Sequence, residues 1–465
     1  MMTLKKTGLL LLIVLSFTVK AQLPPEWAPA GMPLYGSQVR CVYSDTINDI
    51  LYVTGEILTS PTSFSNYYIC KYNGSGWSTL GAFNDQLLSL TTYNGELIAA
   101  GFFTSVSGTP VSYIAKYNGT SWQPFGNFDN PVTKVKVING ELYAVGYFST
   151  IDGVPIHRAA KWNGSTWSDI HGFSLDPTGC MLFDIEIYNG NVYVCGNFYD
   201  DISEIIDLAV YKDGVWQKVG VGITGAFTSL EKFAKYRNEL VIVGGILKPE
   251  GNIGHGIQKW NDTIWSEVGD GVQDWSDTYG YATIKDATVY NNELYVVGGF
   301  GHAGHIQGNV LAKWDGIKWC GLATKNVFNV NTGGATSVCF FNDTLYLGIA
   351  NDTLNNIFTN SLIKYLAGSY TDTCSINFTG VNEITNYNSF LLYPNPAQSI
   401  INIEFKNSIS ESYTLSIVNV LGETVYSKQM NDPQLQISVD EFPSGIYVVQ
   451  VQNEKGIWSK KFVRD

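Results

Sequence analysis

The sequence predicts an all-β chain, a seven-bladed β-propeller followed by a small immunoglobulin-like β-sandwich. Two observations carry this. Trp27, Trp77, Trp122, Trp167, Trp216, Trp265 and Trp319 recur at intervals of 50, 45, 45, 49, 49 and 54 residues. A period of about 40–50 residues with short β-type segments inside each unit marks a propeller. Beyond residue 388 the period stops and Trp458 is the one tryptophan left. Short alternating segments follow there at 400–405, 413–420, 435–439, 446–451 and 458–463, the pattern of a small sandwich.

The first residues read as a targeting segment. Lys5 and Lys6 precede the apolar run 8–15, and Val19-Lys20-Ala21 is a small-residue cleavage pattern. Residues 1–21 are therefore expected to be a secretory signal peptide, with the mature chain starting at Gln22. The apolar run is too short to span a bilayer, and no later stretch of about 18 apolar residues exists, so no transmembrane segment is expected. No cysteine follows the cleavage site to carry a lipid anchor.

Composition excludes some partners. Charged residues are 15% of the chain, and the net charge is −13. Nucleic acid needs a basic face, and no Lys/Arg cluster supplies one. An anionic membrane surface is disfavoured for the same reason. Seven cysteines, Cys41, Cys70, Cys180, Cys195, Cys320, Cys339 and Cys374, leave at least one unpaired. Most lie in apolar strand-like segments and are expected to act as small buried hydrophobes. A Cys180–Cys195 bridge is not expected, because the Asn189-Gly190 turn would set Cys195 near Phe183.

Each repeat unit carries two signatures. The first is a hairpin turn, as in Tyr93-Asn94-Gly95-Glu96, Ile138-Asn139-Gly140-Glu141, Tyr188-Asn189-Gly190-Asn191 and Tyr290-Asn291-Asn292-Glu293. Asn-Gly accepts positive φ at both central positions, which a type I′ turn requires. Weaker copies precede Leu51, Leu240 and Leu345. The second is aromatic-Asn/Asp-Gly-x-x-Trp-x-x-x-Gly, as in Trp162-Asn163-Gly164 with Trp167, a tight turn between strands three and four. Each blade thus reads strand, turn, strand, long loop, strand, turn, strand. Trp27 heads an isolated fourth strand, and 362–365 is a third strand with no tryptophan after it. Together they complete the seventh blade, so residues 22–366 are expected to close as a ring without an exposed edge.

Gly101-Phe102-Phe103-Thr104 with Gly108-Thr109-Pro110, and Gly146-Tyr147-Phe148-Ser149 with Gly153-Val154-Pro155, resemble kelch-like bacterial propeller repeats. The resemblance implies a fold and no activity. The recurring tryptophans are read as packing between neighbouring sheets. Lys71, Lys116, Lys161, Lys259, Lys313 and Lys364 repeat likewise, and Val210 breaks that pattern, which argues for structure over catalysis.

In such a blade the 1–2 and 3–4 turns share one face, and the 2–3 and 4–1 loops share the other. The first set is short and uniform. The second is long and differs in every blade, at 104–112, 149–157, 199–207, 247–256, 301–309 and 350–360, so the loop face is the expected binding face. The loops of blades 5 and 6 bring together His255, Asp274, Trp275, Asp277, Tyr279, His302 and His305. These suit a sugar or peptide patch with Trp275 or Tyr279 as a stacking platform. A metal held by His302, His305 and His255 is a second reading, and solvated loop residues a third. No cofactor or metal is assigned. No G-x-S-x-G, H-E-x-x-H, P-loop or EF-hand motif occurs. A sialidase would need more arginines than Arg40, Arg158, Arg237 and Arg464.

Near the C-terminus, Leu392-Tyr393-Pro394-Asn395-Pro396, Val420-Leu421-Gly422, Phe442-Pro443-Ser444-Gly445-Ile446-Tyr447 and Lys460-Lys461-Phe462-Val463 occur in that order. They resemble the C-terminal sorting domain of type IX secretion substrates. The resemblance implies a Gram-negative bacterium, recognition by the outer-membrane type IX machinery, and release or surface attachment. Physically, Pro394 and Pro396 are expected to pin an extended lead-in, and Ser444-Gly445 to turn the chain before a strand. Residues 367–388 read as a linker and 389–465 as this domain. Four Asp-Thr-Ile/Leu triplets, at 45, 262, 343 and 352, resemble the O-glycosylation acceptor of such bacteria, though turns favour the same residues. The expected function is a non-enzymatic, secreted or surface-displayed propeller that binds a glycan or extracellular protein. A carbohydrate-active hydrolase, lyase or oxidase on the same scaffold is the alternative.

Overall fold

The computed structural model describes residues 27–366 and 390–464, except 59–66, 171, 174–179, 201–204, 224–228, 247–254, 274–281, 309, 323–333, 351–352, 355–356, 406–412, 420–423, 431, 433 and 454–455. The signal-peptide segment 1–21, the linker and Gly422 lie outside these residues. The chain divides into two compact units, Met1–Asn377 and Phe378–Asp465. Both are built from β-strands.

The first unit is propeller-like. Among the described residues, seven antiparallel sheets share a set of four hydrogen-bonded strands, in chain order in the first six, and the first sheet is extended by the two short strands of a neighbouring loop. Their first strands are Tyr35–Asp45, Leu87–Tyr93, Val132–Ile138, Met181–Tyr188, Leu230–Tyr236, Thr283–Tyr290 and Ala335–Phe341. They are numbered here sheets 1 to 7 in that order. Each first strand touches the next, and the last touches the first, so these strands line a common axis. Sheet 7 departs from chain order. Its outer strand is Trp27–Pro29, with Trp27 opposite Tyr365 and Pro29 opposite Ile363. The N-terminal strand thereby covers an edge that would otherwise expose backbone donors and acceptors.

Turn chemistry follows the sequence signatures. The hairpins hold both central residues at positive φ: Asn94 at 50° with Gly95 at 81°, and Asn139 at 52° with Gly140 at 81°. Arg237-Asn238 and Asn342-Asp343 adopt the same turn without glycine. In the second turn the Asn or Asp side chain accepts from the two following amides. Asn163 Oδ1, for instance, receives Ser165 N and Thr166 N at 2.9 Å each.

Packing between sheets explains the tryptophan period. Trp77 Nε1 donates to Ala30 O at 3.0 Å, Trp265 Nε1 to Val219 O at 3.0 Å and Trp319 Nε1 to Val268 O at 2.9 Å. Each acceptor sits three residues after the tryptophan of the preceding sheet. The glycine after it (Gly31, Gly220, Gly269) has positive φ, and a side chain there would meet the incoming ring. Hydrophobic clusters fill the gaps between neighbours. One joins Val39, Leu51 and Cys70 of sheet 1 to Tyr346 and Leu362 of sheet 7. The repeated lysines are structural too. Lys116, Lys161, Lys259 and Lys313 meet Glu96, Glu141, Glu239 and Glu293 at 2.6–3.0 Å, from strand 3 to the start of strand 2 in the same sheet. In sheet 4 both partners are replaced together, by Asn191 and Val210.

Cys41, Cys70, Cys195 and Cys339 are free, whereas Cys320 is disulfide-bonded. Cys374 lies outside the described residues.

The second unit has two sheets around one core. One is Phe390–Tyr393, Ile400–Phe405 and Gln434–Ser438; the other is Thr424–Met430, Tyr413–Asn419, Gly445–Asn453 and Gly456–Arg464. Phe390, Ile401, Leu415, Val449 and Phe462 are buried between them. The first strand and Thr424–Met430 were not anticipated from sequence.

Candidate functional site

Among the described residues, four of the long 2–3 loops carry a short hairpin: Ser105–Val106 with Thr109–Pro110, Thr150–Ile151 with Val154–Pro155, His302–Ala303 with Ile306–Gln307, and Thr353–Leu354 with Ile357–Phe358. The first three lean on the end of the preceding sheet. Ser107 N donates to Ala82 O at 2.7 Å, Asp152 N to Asn127 O at 3.0 Å and Gly304 N to Gly271 O at 2.8 Å. These hairpins and their hydrogen bonds fix the described part of the loop side to the sheet ends.

The histidine corner belongs to this system. His302 lies opposite Gln307 within its hairpin and opposite Gln273 of the preceding connection. His305 occupies the hairpin tip, 95% exposed, with Nε2 3.4 Å from Asp270 Oδ2. The carbonyl of His255 accepts from Val272 N at 2.9 Å. His302, His305 and the His255 backbone thus each approach the stretch 270–273. Asp274, Trp275, Asp277 and Tyr279 lie outside the described residues. Among the described residues no group of three His, Cys, Asp or Glu side chains could hold a metal ion.

A second feature lies on the axis. Every first strand carries a bulge near its start, at Arg40, Leu88, Thr133, Phe183, Glu231, Lys285 and Thr336. A bulge inserts one residue and re-aims its side chain. It is accommodated by a strand-2 glycine (Gly101, Gly146, Gly196, Gly244, Gly298), where a Cβ would strike the carbonyl of the bulged strand. The residues after the bulges are Cys41, Ser89, Lys134, Asp184, Lys232, Asp286 and Ser337. These strands are sheet edges facing the axis, so alternate amides lack a ladder partner. Neighbouring side chains supply one. Asp184 accepts from Phe233 N at 2.9 Å, Asp286 from Val338 N at 3.0 Å, Ser89 Oγ from Val135 N at 3.2 Å and Ser337 Oγ from Val42 N at 3.0 Å.

Around this ring is a cavity of about 410 Å³ with walls from all seven first strands. Its cations are Arg40, Lys134, Lys232 and Lys285, and its carboxylates are Glu231 and Asp286. Lys285 meets Glu231 at 2.6 Å, Lys232 meets Asp286, and Arg40 meets Glu56 at 3.2 Å. Deeper, Asp184 is fully buried and meets Lys136 at 3.1 Å, and Lys136 meets Glu186 at 3.0 Å. Desolvation raises the Asp184 pKa, but Lys136, Lys134, the Phe233 amide and Lys232 together outweigh it and hold the carboxyl below its usual value. Burial, with repulsion from Lys232, pushes the Lys134 ammonium down.

These axial residues escaped the motif reading. Their signal was present in the sequence. The residues after the bulges follow one another at 48, 45, 50, 48, 54 and 51 residues, the tryptophan period again. Their residue types differ, so no motif announces them.

In the second unit the Pro-Asn-Pro segment does not run extended. Residues 394–396 bend, with both X-Pro bonds cis, and close the hairpin between Phe390–Tyr393 and Ile400–Phe405. Asn395 ties this bend to the last strand: Oδ1 accepts Val463 N at 2.9 Å and Nδ2 donates to Lys461 O at 3.1 Å. Pro394 and Pro396 flank that clamp. Beyond it, Tyr447 is buried and donates to Pro443 O at 2.8 Å, across the Ser444-Gly445 turn. Three of the four quoted sequence motifs thus meet in contacts within one small core.

Residues 391–465 are a secretion system C-terminal sorting domain. The sorting domain directs the chain through type IX secretion to the cell surface or the extracellular space. Among the described residues no helix is long and apolar enough to cross a membrane. No curated protein matches the chain. Among solved structures it is similar to PorZ, an essential bacterial surface component of the type IX secretion system of Porphyromonas gingivalis, at 13% identity and a TM-score of 0.42. That likeness covers 93% of this chain, which spans 59% of the PorZ chain. It is also similar to an exo-β-1,3-galactanase of Phanerochaete chrysosporium, at 10% identity and a TM-score of 0.27, over 94% of this chain and 99% of the other. At these values neither likeness bears on activity.

Proposed function

We propose that this chain is a secreted or surface-displayed, kelch-like seven-bladed propeller that binds a glycan or an extracellular protein on its loop face and catalyses no reaction. Residues 1–21 are its signal peptide, residues 22–366 its binding module, 367–388 a linker, and 389–465 an immunoglobulin-like domain that the type IX machinery reads. The carrying observation is the contrast between the two sides of the sheets. The turn side repeats the same Asn-Gly and Asx geometry, whereas the loop side varies in sequence and, among the described residues, carries short hairpins tied to the sheet ends. Variable loops held on a regular scaffold are suited to recognition. The corner formed by His255, His302 and His305, with Asp274, Trp275, Asp277 and Tyr279 on the adjoining connection, is the patch of choice. Glu231 and Asp286 in the axial cavity are engaged by lysines instead of standing as an acid and base pair, which favours binding over hydrolysis. Screening the exported protein on an array of glycans and matrix proteins tests the reading. Saturable binding to a defined ligand is expected, and uniform silence would overturn it.

A further inference from the structure

The axial cavity contains one ammonium, that of Lys134, with no carboxylate in direct contact among the described residues. Lys232, Lys285 and Arg40 each meet a carboxylate. Lys134 lines the same cavity and has no hydrogen bond or ion pair among the described residues. Arg40 Nε is buried there and likewise finds no acceptor among them. A guanidinium N–H withdrawn from water without an acceptor is costly, and beside the half-buried Lys134 ammonium it leaves donors that a ligand can satisfy. These donors sit in a chain of net charge −13, so they are not a by-product of a basic composition.

We propose that this cavity is a binding site for one carboxylate group, carried by a molecule of about monosaccharide size, with Lys134 as its counter-ion and Arg40 as a second donor. One ammonium without a direct carboxylate partner suits a monoanion, whereas a doubly charged phosphate would bring more negative charge than the cavity's donors can meet. The volume of about 410 Å³ lies at the small end of the roughly 300–1,000 Å³ usual for ligand sites, which admits one sugar-sized unit and excludes a folded partner. The walls offer Leu88, Phe102, Met181 and Phe183 to the apolar face of such a unit. Burial of Lys134 beside Lys232 lowers its affinity for a proton, and a bound carboxylate would relieve both effects. The inference goes beyond the loop-face reading and stands apart from it, because a small carboxylate titrates the axis whether or not the loop face binds a polymer.

The test is calorimetric titration of the exported full-length protein with glucuronate, glucose and acetate. Glucuronate is expected to bind at one site, glucose not to bind, and acetate to bind at least tenfold more weakly than glucuronate. Lys134→Met should weaken glucuronate at least tenfold, and Lys134→Arg should retain it within a few-fold. A cooperative melt of Lys134→Met, even at a lower temperature than the parent because Asp184 loses a nearby cation, would show that lost binding is not lost folding. Should Lys134→Met fail to fold, the melting temperature of the parent decides: a rise with glucuronate and none with glucose supports the site. Equal response to glucuronate and glucose, or full glucuronate binding by Lys134→Met, would overturn the proposal. Acetate binding as tightly as glucuronate would overturn the assigned size.

Discussion

Trp167 Nε1 donates to the carbonyl oxygen of Phe125 at 2.9 Å, across the boundary between sheets 2 and 3. The acceptor is followed by Gly126, whose φ is 107° and whose missing Cβ would lie 2.9 Å from the Trp167 ring. One side chain thus depends on a carbonyl and a vacancy four residues after the preceding tryptophan, Trp122. This pairing is what the Trp-x-x-x-Gly spacing encodes. Trp167→Phe is expected to destabilise the protein by about 2 kcal/mol, through the lost hydrogen bond and contact area. Gly126→Ala should cost about 2 kcal/mol or more from strain and collision. The two should couple by at least about 0.5 kcal/mol. Urea unfolding of the single and double variants checks all three, and additive effects would break the proposed dependence.

Asp184 connects sheet 4 to sheet 5 through Phe233 N and to sheet 3 through Lys136. Its folded pKa lies below the ordinary 3.8. A depressed carboxylate contributes stability that is fully present above its unfolded pKa and is lost as pH falls through the folded one. Asp184→Asn should therefore be less stable than the parent at neutral pH, with the gap closing between about pH 5 and pH 2. Melting temperatures across that range give the answer, and a gap independent of pH would contradict it.

The lysine–glutamate pairs should differ in worth despite their common geometry. Lys161 and Glu141 are 36% and 46% exposed, whereas Lys313 and Glu293 are 5% and 25% exposed. Glu141→Ala is expected to cost less than about 1 kcal/mol, as exposed ion pairs do. Glu293→Ala removes the carboxylate facing a buried ammonium and should cost about 2–3 kcal/mol. Chemical denaturation of both variants measures the difference. Equal effects would refute the burial argument.

Asn395 holds the Pro-Asn-Pro bend against the last strand by two hydrogen bonds. Asn395→Ala should destabilise the sorting domain by about 1–2 kcal/mol and reduce the amount reaching the medium or cell surface in a type IX-competent bacterium. Fractionation with an antibody to the first unit reads this. Normal export of Asn395→Ala would show that the clamp is dispensable for sorting.

Periodic features were legible in the sequence because packing between like sheets demands like residues. The tryptophans, turn asparagines and strand-3 lysines repeat for that reason, and pairing Trp27 with the strand ending at Tyr365 followed from counting strands. The sorting motifs were legible because their residues clamp one another. Two kinds of feature were not. Short hairpins inside the 2–3 loops are two-residue strands, too brief for any alternation to show. The axial ring shares a position and a bulge but varies in chemistry from Ser89 to Lys134 to Asp184, so neither a motif nor a charge run betrays it. The bend at 394–396 departs from the extended lead-in that two prolines suggest, because proline fixes its own φ but not the direction of the chain around it.

The central claim is that recognition belongs to the loop side of an exported ring. Array binding of the exported protein, run beside two surface variants, tests it most directly. His305→Ala with Val154→Ser alters exposed positions on the loop hairpins, and Ile47→Ser with Ile317→Ser alters exposed positions on the turns. A ligand whose binding is weakened by the first pair and unchanged by the second is the predicted result. A silent array, or a ligand weakened only by the turn-side pair, would contradict the account.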